Sequence, residues 1–517
     1  MYLYAAIIFL AYVLPPAESA KILGIFPVLS KSHDSILQLI LKGIAHKGHE
    51  VTVLRHFKST DSTPNYREIL ISDPKKFQSF LEGITVQDSV NFAGVQNYLK
   101  VKLAVESKSC DAILRSQYIK QLINSKDDRP IDLIIAEVYA TQCFHLLAHK
   151  LNVPLVGVLA TSSEIGIDYF VGNPFIPSIT PLRDSKFATK MNFWQRFENA
   201  VQYATSYWNL YFTQNKNMER YAREIFNMQL PSDEELNRRT AMAFYNNHPS
   251  FISRPTSPNV INIAGIHIRE LKKLPKDIED FIEGADHGVI LFSFGTAVKA
   301  SSMPPEKLEA IKDALSAIPQ KVLWRVNDLN ITNVPPNVKL GKWFPQRDVL
   351  EHKKVIAFVS HCGLLGTQEA IHTATPVVGI PFYFDQFQNA NVLVEREVGI
   401  YIDYFEMNKN NLLDAIREIT TNTKYRENMI KWSKIFKDRP IPPLNESLYW
   451  IEYVLKHQGA PHLRTAAADM PLYQYLLLDV LVLILISIVG FVYFLKLIFK
   501  RLSLFVCRSK PKKNKTE

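Results

Sequence analysis

The chain has 517 residues, 47% of them hydrophobic, and four cysteines. That length can bury two or three sizeable cores, and four cysteines are too few for a small scaffold held by disulfides. The net charge is +10, but Lys496, Lys500, Arg501, Arg508, Lys510, Lys512, Lys513 and Lys515 stand against Glu517 alone in the last 22 residues, so the rest carries about +3. The basic balance therefore describes a tail, and a nucleic-acid partner is not implied.

The first twenty residues run from an apolar stretch, Leu3 to Leu14, through Pro15-Pro16 to the small residues Ala17, Ser19 and Ala20. This is the pattern of a cleaved signal peptide, residues 1–20, leaving Lys21 at the start of the mature chain. Ile22 to Phe26 reads as a buried strand, Lys31-Ser32-His33-Asp34 opens a helix, and Val51 to Leu54 is the next strand, which together make a βαβ unit. His33 sits in its first turn, where ligands meet open α/β sheets. His49, in the turn before the second strand, reads as structural. Asp61 to Lys126 reads as mixed helix and loop, with Phe77, Phe80, Leu81, Phe92 and Tyr98 available to wall an apolar pocket. Cys110 and Cys143 read as separate buried thiols, with pairing open only if the region is extracytosolic.

Further strands are expected at Ile131 to Ile135, which delivers Glu137 at its carboxyl end, and at Leu151 to Leu159. Gly172-Asn173-Pro174 to Ser178 is a turn-rich loop, and Asn192 to Met228, rich in Trp, Tyr and Phe, reads as helical. Phe251 to Ser253 looks strand-like, and the Pro-punctuated Arg254 to Asn259 marks a domain boundary. The first domain is thus 21–256 and the second 257–460, with Val260 to Ile263 opening the second. A helix at Asp277 to Glu283 and a strand at Gly288 to Phe294 follow, the strand running into Ser293, Gly295 and Thr296. Further strands are expected at Val322 to Val326 and Val338 to Leu340. Beyond the latter, Trp343 offers an indole as a stacking surface and Gln346 an amide beside it.

The densest pattern is Phe358 to Gln386, FVSHCGLLGTQEAIHTATPVVGIPFYFDQ. A buried strand, Val355 to Val359, ends in Ser-His-Cys-Gly and turns into a helix. Free N–H groups and the positive helix end converge there, so a diphosphate at Ser360 to Gly366 would find donors, with His361 beside them. Gly363 and Gly366 carry no Cβ, Thr367 supplies a hydroxyl, and Glu369 can accept two ribose hydroxyls. A second strand, Pro376 to Ile380, leads to Asp385 and Gln386, which suit sugar hydroxyls. No Asp-x-Asp motif occurs, so no metal is required by this reading, and a nucleotide-sugar would be a co-substrate rather than a cofactor.

Glu406 to Lys437 and Leu448 to Leu455 read as helices, the second returning to the first lobe. Asn330-Ile-Thr and Asn445-Glu-Ser are N-glycosylation sequons. Leu472 to Leu495 is long enough for one transmembrane helix, and the basic residues 496–517 form a cytosolic tail.

The spacing His361-Cys-Gly-x-x-Gly-x-x-Glu369, then Pro376, Pro381 and Asp385-Gln386, resembles the signature of the UDP-glycosyltransferase family of animals, plants and bacteria. Lys47-Gly-His-Glu-Val-Thr-Val and the insect-like Gly172 to Ser178 loop extend the resemblance, which covers about Lys21 to Arg501. It implies the GT-B fold: two Rossmann-like α/β domains facing across a cleft, acceptor site in the first and donor site in the second. It further implies that Ser293, Gly295 and Thr296 approach phosphate and that Trp343 stacks on uracil. His33 would be the base for an inverting transfer, held by a carboxylate at the position of Glu137, where the family usually has aspartate. Cys362 stands where many members have a second glycine, which would add bulk near the phosphates. The implied partners are a UDP-sugar, with glucose expected and glucuronic acid the alternative, a small lipophilic hydroxyl compound and the membrane; self-association is left open. Lys513-x-Lys515-x-x looks like an endoplasmic-reticulum retrieval signal, giving a single-pass type I protein with lumenal catalytic domains. A sugar-nucleotide epimerase and a non-catalytic ligand binder are the competing classes; neither needs a base in the first turn together with an apolar acceptor lobe and an anchor.

Overall fold

The computed structural model describes residues 19–508 apart from 29, 60, 72–94, 128, 140–141, 211, 213–214 and 296–301. The signal-peptide residues 1–18, Phe77, Phe80, Leu81, Phe92, Thr296 and the retrieval sequence lie outside the described residues.

The first lobe begins β1 (Lys21–Ile25), α1 (Lys31–His46), β2 (Glu50–Arg55), β3 (Tyr66–Leu70), α2 (Val95–Leu114), α3 (Gln117–Ile123), β4 (Leu133–Glu137), α4 (Cys143–Leu151) and β5 (Leu155–Leu159). It continues with α5 (Ile165–Val171), α6 (Phe193–Asn209), α7 (Asn215–Glu224), α8 (Asp233–Asn237), β6 (Thr240–Tyr245) and β7 (Val260–Asn262). Its sheet is parallel, in the order β3-β2-β1-β4-β5-β6-β7. β4, β5 and β6 are buried at every residue, as central parallel strands covered on both faces must be.

The second lobe comprises α9 (Lys276–Glu283), β8 (Val289–Ser293), α10 (Pro305–Ser316), β9 (Lys321–Arg325), β10 (Val338–Gly341), α11 (Gln346–Glu351), β11 (Val355–Ser360) and α12 (Leu364–His372). β12 (Val377–Gly379), α13 (Gln386–Glu395), β13 (Gly399–Tyr401), α14 (Lys409–Thr421), α15 (Thr423–Lys437) and α16 (Pro443–Lys456) complete it. Its parallel sheet runs β10-β9-β8-β11-β12-β13. The return helix α16 buries Leu448, Ile451 and Val454 in the first lobe's core, beside Ile36, Ile40 and Ile44 of α1.

Both sheets reverse their winding beside their first strand: β1 neighbours β2 and β4, and β8 neighbours β9 and β11. Ligands bind at such switch points because the connections on either side leave a crevice above the strand ends. Two crevices therefore follow from strand order alone.

Several sequence expectations are corrected. Val260–Asn262 does not open the second half; it pairs with β6 as the edge of the first sheet. The strand before it is β6, not Phe251 to Ser253, which runs from the end of a turn into irregular backbone. β3 lies within the stretch read as helix and loop; at the sheet edge it is only half-buried, so it shows no apolar run. Cys110 and Cys143 are joined in a disulfide between α2 and α4 rather than standing apart. The helix expected at 406–437 is two, divided at Asn422, whose side chain caps the second.

The C-terminal segment, by itself, holds a short helix α17 (Leu472–Tyr475) and the long α18 (Leu478–Arg508). Its stretch Leu478–Leu504 has mean hydropathy 2.7 and is long enough to cross a bilayer. The apolar helix thus starts six residues later than expected, after a left-handed Leu477, and runs through Lys496, Lys500 and Arg501. Asp479 falls in its first turn, where the helix dipole favours a carboxylate.

Candidate active site

Strand order explains why two residues 104 positions apart meet. β1 and β4 pair in parallel with Ile25 opposite Ala136, so the turn into α1 and the carboxyl end of β4 share one edge of the crevice. There His33 Nδ1 hydrogen-bonds Glu137 Oε1. Glu137 is buried, and the His33 side chain keeps 18% of its exposure. A proton on Nδ1 shared with the carboxylate leaves the other ring nitrogen, Nε2, as a lone-pair acceptor. Burial acts to lower the His33 pKa, but the charge and hydrogen bond of Glu137, with Asp385 adding, raise it above the ordinary imidazole value.

The neighbours hold this arrangement. Asp34, next along α1, is paired with the buried Arg55 of β2, which also pairs with Glu68 and donates to Ser59 Oγ at 2.8 Å. Tyr139 stands edge-on to the His33 ring at 5.8 Å, and the Arg183 guanidinium lies 4.9 Å from the Tyr139 ring centre. Asp132 is at the far end of β4, where it accepts from the Lys21 N–H at 2.8 Å. His49 is structural: its Nδ1 accepts from the Ala20 N–H and its Nε2 reaches Glu452 on α16.

In the second lobe β8 and β11 align Ser293 with Ser360, so their two exit loops lie side by side. The His361 imidazole fills the space between them. A Cβ on Gly295 would come within 2.6 Å of that ring and one on Gly363 within 2.5 Å, so both positions exclude a side chain while the ring is there. Gly295 also has φ +68°, which costs any other residue strain. Ser293 Oγ accepts from the Gly295 N–H at 3.3 Å, and Arg325 donates to the Gly295 carbonyl. Burial pushes the His361 pKa down to about 4, against a hydrogen bond to the Ser293 backbone, so at neutral pH the ring is neutral rather than a cation. The N-cap residue of α12, Gly363, has no side chain to cap the helix, and a helix start of this kind presents N–H groups that suit an anion.

Cys362 departs from expectation. Its φ is +61°, its side chain is buried, and its Sγ packs over Gly379, 2.5 Å from where a Cβ there would sit. The bulk points into the core, not along the phosphate path. Glycine suits the position because of the backbone, and cysteine accepts the strain.

The remaining residues divide by what they already hold. Trp343 is 69% exposed and presents its indole to solvent. Gln346 donates to Glu369 Oε2 at 2.7 Å across the space left by Gly366, so the amide and carboxylate form one unit. The Glu369 pKa is raised, burial outweighing Gln346 and Arg347. The Thr367 hydroxyl donates to Gly363 O at 3.0 Å, and Gln386 Oε1 accepts from the N–H groups of Phe382 and Tyr383 at 2.9 and 3.3 Å. Both shape loops with those atoms. Burial raises the Asp385 pKa against the Arg183 charge and a hydrogen bond from Asn389 at 3.1 Å.

Contacts between the lobes bring these two sets together. Gln388 on α13 donates to the carbonyls of Pro181 and Leu182 at 3.4 and 3.3 Å, Asn391 to Lys186 O at 2.8 Å, and Glu395 accepts from Thr189 N and Oγ1. Buried Gln368 on α12 accepts from Gly265 N and donates to Asn246 Oδ1, both at 2.9 Å. The result places Asp385, at the start of α13, and Arg183 where their charges act on His33. Sequence reasoning missed Arg183, because only the docking of its loop on α13 reveals it.

The chain matches the family described as UDP-glucoronosyl and UDP-glucosyl transferase over residues 20–516. It belongs to the UDP-glycosyltransferase family. UDP-glucosyltransferase 2 of Dactylopius coccus is 34% identical over 500 residues, 94% of each chain. UDP-glucuronosyltransferase 2B7 of Homo sapiens is 31% identical over 477 residues, 88% of each. The fold resembles that of Phytolacca americana UGT2, solved with UDP-2fluoro-glucose and pterostilbene, at TM-score 0.56 and 15% identity over 84% of this chain and 99% of that one. A UDP-glucosyltransferase from Polygonum tinctorium gives TM-score 0.58 and 13% identity over 86% and 100%. This UDP-glycosyltransferase therefore has the GT-B fold that its sequence implies, and its donor is a UDP-sugar.

Proposed function

We propose that this UDP-glycosyltransferase moves glucose from UDP-glucose, with inversion, to a hydroxyl of a small lipophilic acceptor, as in detoxification or the conjugation of a hormone or pigment. The observation that carries the mechanism is the His33–Glu137 hydrogen bond beside Asp385. The acceptor oxygen attacks the anomeric carbon while its proton passes to His33 Nε2. The bond from that carbon to the diphosphate breaks, and its electron pair leaves with UDP. Glu137 stabilises the imidazolium as it forms. The α12 N-terminus, His361 and the Ser293–Gly295 turn meet the charge growing on the diphosphate. Trp343 stacks on uracil, Glu369 with Gln346 takes the ribose, and Asp385 and Gln386 face the sugar hydroxyls. A non-catalytic role is disfavoured by the base and its carboxylate partner being kept in contact.

Glucose is preferred over glucuronic acid because Arg183, whose charge reaches Asp385, is already balanced by Asp184 at 2.8 Å. A neutral hexose asks for no further cation. The apolar α18, the disulfide and the exposed sequon residues Asn330 and Asn445 support an endoplasmic-reticulum type I protein with its lobes in the lumen. Side-by-side kinetics of the full-length enzyme with UDP-glucose and UDP-glucuronic acid on one phenolic acceptor test the sugar. The expected result is higher kcat/KM for UDP-glucose; a clear preference for UDP-glucuronic acid overturns the assignment.

A further inference from the structure

α6 is apolar on the wrong side for a surface helix. Its inner face is accounted for: Asn199 is buried with its side chain bonded to Leu182 N, Pro177 O and Thr180 O, Ser206 is buried, and Tyr203 and Tyr207 pack on Phe175. An exposed helix should then be polar outside. Instead Phe193, Trp194, Phe197, Val201 and Trp208, with Phe212 just past the helix end, fall on one exposed outer stripe at helical spacing. Trp194 is 72% exposed and Trp208 66%. Rings touch along it, Phe193 to Trp194 at 5.1 Å and Trp208 to Phe212 at 4.2 Å between centroids. A contiguous aromatic face of this kind marks an interaction site.

We propose that this face of α6 lies in the headgroup layer of a lipid bilayer, holding the first lobe on the membrane. Three observations select lipid as the occupant. Trp and Phe on one face are the composition of helices that rest in the membrane interface. Charge complements anionic headgroups: from Ser185 to Met218 the chain has Lys186, Lys190, Arg196 and Lys216, all exposed, against one acid, Glu198. The chain also carries its own apolar stretch long enough to cross a bilayer, Leu478–Leu504, so lipid is a surface this protein already meets. The inference rests on the membrane-anchored reading.

The test uses the full chain in vesicles of phosphatidylcholine and phosphatidylserine with brominated acyl chains, which quench tryptophan on contact. The six tryptophans include Trp194 and Trp208, and the control is the double variant Trp194→Phe, Trp208→Phe, which keeps the face aromatic and is checked for retained transferase activity. The proposal expects the wild-type chain to be quenched and the double variant to lose at least half of that quenching. Equal quenching of the two, or a vesicle-bound wild type that is unquenched, overturns it. So do cross-links between two copies through residues 190–216 in place of quenching, which assign the face to a second copy. Loss of the chain from the vesicles on alkaline washing instead overturns the anchor, and with it the argument for lipid.

Discussion

At the scale of single residues, what each polar group can do depends on how it is held. His33 is useful as a base only when neutral, and Glu137 raises its pKa above the ordinary value near 6.5. Activity should therefore rise with pH through a limb above 6.5. Replacing Glu137 with Gln removes the negative charge and leaves burial, which lowers the pKa, less opposed. The acid limb of kcat/KM for Glu137→Gln should then move to lower pH while the plateau rate falls; a limb unmoved in a pH-rate profile would separate Glu137 from the titration. Trp343 makes a clean test because so much of it is exposed that its loss costs the fold little. Stacking worth ~1–3 kcal/mol on nucleic-acid bases predicts a donor KM roughly one to two orders of magnitude higher in Trp343→Ala, with the thermal midpoint unchanged. A donor KM like that of the wild type would take the indole out of the site.

At the scale of elements, legibility followed burial. Runs such as Val289–Ser293 and Val355–Ser360 are central strands, buried almost throughout, and they show in sequence as continuous apolar stretches. Tyr66–Leu70 did not, because an edge strand carries Arg67 and Glu68 toward solvent and charge partners. Thr240–Tyr245 has small alanines at two of its six positions, so its burial comes from its neighbours more than from its own pattern. His33 and Glu137 could be named because each sits at a strand end; their contact depends on β4 inserting beside β1, which no local pattern records. The return helix is a second long-range commitment. Ile451 is fully buried among α1 side chains, so Ile451→Ala should cost about 2–5 kcal/mol in denaturant melts and leave the donor KM alone. A loss below 1 kcal/mol would mean that α16 is not holding the lobes as described.

At the scale of the whole molecule, the site exists because two sheets with the same switch-point logic face each other through α13, α12 and the 181–189 segment. The sequence showed the donor half more fully than the acceptor half, since the residues proposed to meet phosphate and sugar follow a compact spacing from His361 to Gln386. Arg183 and the lobe-bridging Gln368 and Gln388 were invisible, because each acts on a partner more than a hundred residues away. Cys362 misled for a local reason: a residue in a turn read as phosphate-binding was taken to add bulk near the ligand, whereas its left-handed backbone sends the thiol into the core. The central claim is that His33 is the base and that donor binding is a separate task of the second lobe. It is tested most directly by measuring turnover and UDP affinity together in His33→Ala. The account predicts a loss of about 10²- to 10⁴-fold in kcat with UDP affinity within a factor of two of the wild type, and near-wild-type turnover by the folded variant would contradict it.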